Sequence, residues 1–353
     1  MKNSSSQPNH KVQDNSGRIE YIDALRGFTM ILVVLQHVVT YCWQIKGMKI
    51  SVNDYLLLIR MPMFFFISGF VLYKANRVWN IKEVFGFLKK KIPVQLISPF
   101  IFFFIFIHIQ NISLYDSITS HNKAGYWFTF ILFIYYLFYV IINVCIKNKY
   151  SNIILLFLGL ALFFVNWPPI YNAVPLGDLW KDILSVENWR FFLFFVLGTI
   201  VREHFPRAEK LLDSNWLLPI CIVLFFLVNA FKDILVIKGP VLNLFLIICG
   251  LVVLFSFFRV YRNSFSKDKM IGRSLQYIGR RTLDIYLIHF FWIPKNLDIV
   301  TVFVDHPMPI IEATASLLVT LLIIGGSLLI SNIIRLSPFL AHWMFGAKYP
   351  KQQ

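Results

Sequence analysis

Residues 24–45 read ALRGFTMILVVLQHVVTYCWQI, and this stretch decides the class of fold. Apart from Arg26 it carries no permanent charge. At 1.5 Å of rise per residue such a run reaches about 33 Å as a helix, close to the ~30 Å of a bilayer's hydrocarbon core. Nine further runs of the same kind lie at 55–73, 93–110, 126–146, 151–167, 189–201, 216–231, 240–258, 282–299 and 311–334. The run at 189–201 is the shortest after Arg190, and the ninth carries Asp284 near its start. The pattern predicts an all-α polytopic membrane bundle of about ten transmembrane helices, with N- and C-termini both cytoplasmic.

Composition points the same way. The 353 residues are 58% hydrophobic and 17% aromatic, with 37 Phe, and only 15% are charged. Soluble domains average about 25% charge. A water-soluble globule could not hide this much apolar side chain, which argues against a soluble enzyme, a disordered chain or a fibrous repeat. The net charge of +16 would suit nucleic acid in a polar protein. Here the lipid bilayer is the expected partner, and nucleic acid is not.

Residues 1–17 are polar, lack the apolar core of a signal peptide and read as a disordered tail. A transmembrane domain is expected over 18–345 and a cytoplasmic tail over 346–353. Cys42, Cys145, Cys221 and Cys249 lie in apolar runs without metal-binding or redox spacing. Neither a disulfide nor a metal site is expected.

Lys and Arg placement orients the bundle. With the N-terminus inside and ten alternating segments, 24 of the 34 Lys and Arg fall on the inner side and seven on the outer. The inner loops hold Lys89, Lys90 and Lys91, Arg280 and Arg281; removing one helix would exchange the sides of every later loop.

Ionisable groups at membrane depth are costly and mark functional candidates. In the first segment Asp23 and Arg26 stand three apart at the inner mouth, and His37 follows eleven residues after Arg26. Eleven steps of 100° make three turns plus 20°, so Arg26 and His37 share a helical face about 16 Å apart along the axis. This is a polar ladder from cytoplasm to mid-membrane; a snorkelling Asp–Arg pair with an interhelical histidine would give the same spacing. The second segment holds Arg60, Pro62, Ser68 and Gly69, the last two small enough for another backbone to approach. The ninth holds Arg281, Thr282, Tyr286 and His289, with Thr282 and His289 seven apart on one face. Trp127 follows Gly125 and Tyr126 as an interfacial aromatic. Phosphate-binding glycine loops, a nucleophile elbow and H-E-x-x-H are missing.

Three ordered blocks resemble the acyltransferase-3 family of bacterial membrane acyltransferases. They are Arg18-x4-Asp23-x2-Arg26-Gly27 with His37; Arg60 through Phe64-Phe65-Phe66-Ile67-Ser68-Gly69-Phe70; and Ile278-Gly279-x2-Thr282-Leu283-x2-Tyr286-Leu287-x-His289. Thr282 stands where a serine is commoner. Gly125-Tyr126-Trp127-Phe128 and Phe194-Phe195-x2-Leu197-Gly198 are weaker matches.

The resemblance implies a multi-pass protein of the bacterial cytoplasmic (inner) membrane. It would transfer an acyl group, usually acetyl, from cytoplasmic acyl-CoA to a hydroxyl of a cell-envelope carbohydrate or glycolipid. It implies His37 as the catalytic centre, supported by Asp23 and Arg26. Arg60, Ser68, Trp127, Arg281, Thr282, Tyr286 and His289 are then candidates for holding acetyl-CoA or the acceptor. A transporter or flippase for an anionic or glycolipid substrate is the rival, with the ladder as its path. The lack of an obvious pair of inverted halves weighs against it.

Overall fold

The computed structural model describes residues 19–43, 51–75, 77–146, 150–214, 216–231, 239–294 and 309–348. Among them there is no strand. The chain runs through α1 (Glu20–His37), which widens into a π-helical turn (Val38–Cys42), α2 (Ser51–Leu72) and α3 (Ile81–Ile92). A second π-helical turn (Pro93–Ile97) leads into α4 (Ser98–Ile109). Then follow the short α5 (Leu114–Thr119), α6 (Trp127–Cys145), α7 (Ser151–Val165), and the short α8 (Pro168–Ala173) and α9 (Asp178–Ile183). The remainder is α10 (Phe192–Glu203), α11 (Phe205–Leu212), α12 (Leu217–Phe231), α13 (Pro240–Val260), α14 (Met270–Arg280), α15 (Thr282–Ile288), α16 (Pro309–Ile334) and α17 (Pro338–Phe345).

Each of the ten apolar runs contains a helix. Five continuous stretches are long and apolar enough to cross a membrane: Glu20–Cys42, Ile81–Ile109, Trp127–Cys145, Pro240–Val260 and Ile310–Ile334. Leu58–Leu72, Ser151–Val165 and Thr282–Phe291 are shorter apolar helices. The architecture is that of a helical membrane protein.

Three local expectations change. The basic stretch 74–92, whose composition suits an interfacial helix, does not end before the third apolar run. It continues through Pro93 into α4, because the π-helical turn absorbs the proline and Ser98 Oγ donates to the Pro93 carbonyl at 2.9 Å. The ninth run is not one straight helix: α15 gives way to a 3₁₀ turn at His289–Phe291, and residues 295–299 lie outside the described residues. The weak sixth run becomes one of the most deeply buried helices. Phe192, Phe194, Phe195 and Val196 of α10 are fully buried between α2 and α7. Residues 1–17 and 349–353 also fall outside the described residues, as does Arg18.

Two reciprocal glycine pairs set how closely the central helices cross. A Cβ on Gly27 of α1 would stand 2.0 Å from the Leu275 carbonyl oxygen of α14, and one on Gly279 would stand 1.9 Å from the Asp23 carbonyl oxygen. Between α2 and α10, a Cβ on Gly69 would meet the Phe195 oxygen at 1.9 Å, and one on Gly198 the Phe66 oxygen at 2.0 Å. Backbone rests on backbone at both crossings, which only glycine permits.

Charged clamps tie the helices further. Arg335 grips Asp284 with two bonds of 2.8 Å, joined by Ser331 and Arg281. Arg259 grips Asp213 in the same bidentate way and also reaches Glu209 and Tyr21. Fork-to-fork pairs of this kind fix orientation as well as charge.

Candidate functional site

Helices α1 and α2, each held by one of the glycine crossings, both line a cavity of about 460 Å³. That size suits a small-molecule site. Its lining includes a group of cations, Lys74, Arg77, Lys90 and Lys91, of which Arg77 and Lys91 share the Phe87 ring, and also His37, Arg60, Gly125, Trp127, Tyr286 and Arg26. Phe64, Ser68, Leu132, Thr282 and the buried Gln95 complete the part of the wall that concerns the site.

Helix α1 carries both poles of the ladder to this cavity. Arg26 donates to Thr282 Oγ1 at 3.0 Å, so the first and third sequence blocks meet at the cavity wall. His37 is the last α-helical residue before the π-helical turn. Its ring sits among aromatic neighbours: Phe290 at 4.8 Å between centroids, His289 at 5.2 Å and Tyr41 at 5.7 Å. Arg60 faces the same cavity from α2, two residues before Pro62. Its Nε is buried and has no hydrogen-bond partner among the described residues. A guanidinium with a spare buried donor beside an imidazole is equipped to meet an oxygen bearing negative charge.

The cation cluster is braced by aromatic faces. Lys91 lies over the Tyr136 ring at 4.5 Å and its Nζ is 3.4 Å from the Tyr136 hydroxyl. Arg77 lies over Trp79 at 5.0 Å and over Phe87 at 5.7 Å. These contacts hold the cations in place without neutralising them.

The 125–128 segment is stapled to α15. Gly125 has φ +95°, and a Cβ there would collide with the Phe290 ring at 2.4 Å. The Tyr286 hydroxyl donates to the Gly125 carbonyl at 3.0 Å and accepts from the Phe128 amide at 3.2 Å. The Tyr126 hydroxyl donates to the Leu287 carbonyl at 3.0 Å. Trp127 lines the cavity and stacks on Phe191 at 6.2 Å.

The structure therefore brings His37, Arg26, Arg60, Ser68, Trp127, Thr282 and Tyr286 to one cavity, and leaves three candidates off its wall. Asp23 is buried beside the Gly27–Gly279 crossing, where its carbonyl abuts Gly279. Arg281 turns to Asp284 at 3.2 Å, because that buried carboxylate needs cations. His289 is fully buried one layer behind His37. Ser68 lines the cavity, though its hydroxyl is committed to the Phe64 carbonyl at 2.8 Å.

Lys74, Arg77, Gln95 and Tyr136 were not singled out from sequence. Gln95 carried a usable signal, being an amide near the start of the apolar run that follows Lys89–Lys91. Among the described residues no three His, Cys, Asp or Glu converge as metal ligands would.

A family model described as an acyltransferase domain, Acyl_transf_3, matches residues 19–335, nearly the whole chain. No curated protein and no solved structure matches it.

Proposed function

The chain belongs to the acyltransferase-3 family, and from that premise we propose that it is a bacterial inner-membrane O-acyltransferase. It moves an acyl group, typically acetyl, from cytoplasmic acyl-CoA to a hydroxyl of a cell-envelope carbohydrate or glycolipid. One observation supports this reading above the others: one cavity is lined both by a cluster of cations and by an imidazole with an arginine.

Acyl-CoA is anionic at its nucleotide and narrow along its pantetheine arm. Lys74, Arg77, Lys90, Lys91 and Arg26 suit the phosphates, which puts the cation cluster on the cytoplasmic side, as the distribution of Lys and Arg expects. The apolar part of the wall, with Phe64 and Leu132, suits the arm. His37 takes the proton of the acceptor hydroxyl as its oxygen bonds to the thioester carbon. Arg60 steadies the negative charge gathering on the carbonyl oxygen. The C–S bond breaks, and His37 returns the proton to the departing thiolate, giving an ester and free CoA thiol. Thr282 holds Arg26 at the mouth, and Tyr286 fixes the Gly125–Phe128 wall beside Trp127.

The test is transfer of labelled acetyl from acetyl-CoA to envelope glycans by the protein in vesicles. His37→Ala is expected to abolish transfer while folded protein still binds acetyl-CoA. Full activity in that variant sinks the assignment of His37. Failure of the unaltered protein to bind acetyl-CoA, with uptake of a glycolipid instead, would favour a transporter.

A further inference from the structure

His289 combines full burial with an unusual hydrogen-bond pattern. Its Nδ1 lies 2.9 Å from the Ile285 carbonyl oxygen and 2.9 Å from that of Tyr286. Carbonyl oxygens only accept, so Nδ1 carries the hydrogen. The other ring nitrogen, Nε2, is buried and has no hydrogen-bond partner among the described residues. No acceptor stands ready for a second N–H, and an unpaired charge in that position would be costly, so the ring keeps a bare lone pair at Nε2. The local backbone explains the anchor. α15 passes into a 3₁₀ turn at His289, and the carbonyls of Ile285 and Tyr286 in its last turn are within reach of the side chain.

The anchored ring then meets His37. The two imidazoles stack at 5.2 Å with an interplanar angle of 29°, and Phe290 packs on both, at 4.2 Å from His289 and 4.8 Å from His37. Phe290 is itself pinned against Gly125. His37 thus lies on a platform fixed by backbone, while its own helix loosens into a π-helical turn just beyond it.

We propose that His289 is a positioning residue for His37: a neutral ring, anchored to two backbone carbonyls, that sets the orientation in which His37 takes up the hydroxyl proton. The proposal rests on the acyltransferase reading. The platform supports His37 through its ring and keeps its own orientation through Nδ1. Both properties are therefore needed.

Two substitutions separate them. His289→Phe keeps an aromatic ring and loses the anchor; His289→Asn keeps a donor for the carbonyls and loses the ring. Both are expected to lower kcat by about tenfold or more, as misorientation of a reacting group does. KM for acetyl-CoA should stay unchanged, because the cation cluster is untouched. Unchanged kcat in His289→Phe overturns the proposal, and so does a parallel change in KM in both variants, which would mark a general disturbance. Nitrogen NMR of ¹⁵N-histidine-labelled protein gives a readout independent of activity. The signal lost in His289→Asn should carry the hydrogen at Nδ1 and a bare Nε2 in the unaltered protein, and the His37 signal should shift in the variant. A hydrogen at Nε2 overturns the proposal, and should His289→Asn fail to fold, the signal lost in His289→Phe identifies the ring instead. If the unaltered protein transfers no acyl group, the functional reading fails while the NMR result still decides the tautomer and the stacking.

Discussion

Substituting Gly27 by alanine tests whether the α1–α14 crossing holds the site in register. The added Cβ would stand 2.0 Å from the Leu275 carbonyl oxygen, whereas ordinary contact begins at 3.4 Å, a shortfall of about 1.4 Å. The obstacle is backbone, so no side-chain rotation relieves it, and α1 must move away from α14 by roughly that distance. Overpacking of this kind typically costs about 1–3 kcal/mol. The displaced helix carries Arg26 next door and His37 ten residues on, about 15 Å along the axis. A misplacement near 1 Å can cost about a hundredfold in rate. Gly27→Ala is therefore expected to lower the melting midpoint of detergent-purified protein and to cut acetyl transfer by one to two orders of magnitude. Gly86→Ala in α3 is the control: a Cβ there meets nothing within 4 Å, and the swap gains up to about 1 kcal/mol of helix propensity. If Gly27→Ala melts and turns over like Gly86→Ala, the backbone-on-backbone crossing does not govern the site.

Other perturbations probe separate parts of the molecule. Lys90→Ala with Lys91→Ala should raise KM for acetyl-CoA about tenfold with kcat nearly unchanged, since the loss is of uniform donor binding; steady-state kinetics at two donor concentrations reads this. Asp284→Asn removes the carboxylate that Arg335 grips at 2.8 Å through both oxygens and strands a part-buried cation, an effect of about 3–5 kcal/mol for a fully buried pair and somewhat less here; a midpoint equal to that of the unaltered protein contradicts it. Tyr286→Phe removes one donor and one acceptor from the Gly125–Phe128 wall, with an expected cost of about 1–3 kcal/mol and a lowered kcat. Lys123 gives three bonds, to the carbonyls of Ile118, Ser120 and Asp182; Lys123→Met should loosen the loop between α5 and α6 by about 1 kcal/mol, visible as faster amide exchange around 118–126.

Much of the bundle was legible because hydrocarbon demands uncharged runs of helical length, and each of the ten runs holds a helix. The ladder was legible for a similar reason: helical geometry alone puts Arg26 and His37 on one face, and both line the cavity. Partners distant in sequence were not legible. Arg281 and Asp284 stand three apart, a spacing that allows a pair, but nothing in it says that Ser331 of α16 and Arg335 just beyond that helix will arrive at the same carboxylate. The cation cluster was visible only as a general collar. Lys74 and Arg77 join the cavity while Lys89 does not, since position around α3 and the loop before it selects among similar charges. The small residues were half legible. Ser68-Gly69 suggested a close approach, but its reciprocal partner, Gly198, lies 129 positions away.

The chemistry-bearing groups share a local feature that helix periodicity does not predict. His37 ends an α-helix where a π-helical turn begins, and Gln95 lies inside the other π-helical turn. Arg60 stands two residues before a proline within α2, and His289 opens a 3₁₀ turn. Gly125 ends a 3₁₀ turn (Lys123–Gly125) with a positive φ just before α6. A regular membrane helix satisfies its own backbone and presents a uniform flank; where the ladder is interrupted the flank changes direction and grooves open between helices. The carbonyls of Ile285 and Tyr286 anchor His289 at one such break, and the Gly125 carbonyl anchors Tyr286 at another. The glycine crossings supply the opposite condition, rigid contact on the flanks, so that the irregular segments face a cavity of fixed shape. The breaks locate the chemistry in this bundle, and the crossings keep it from drifting.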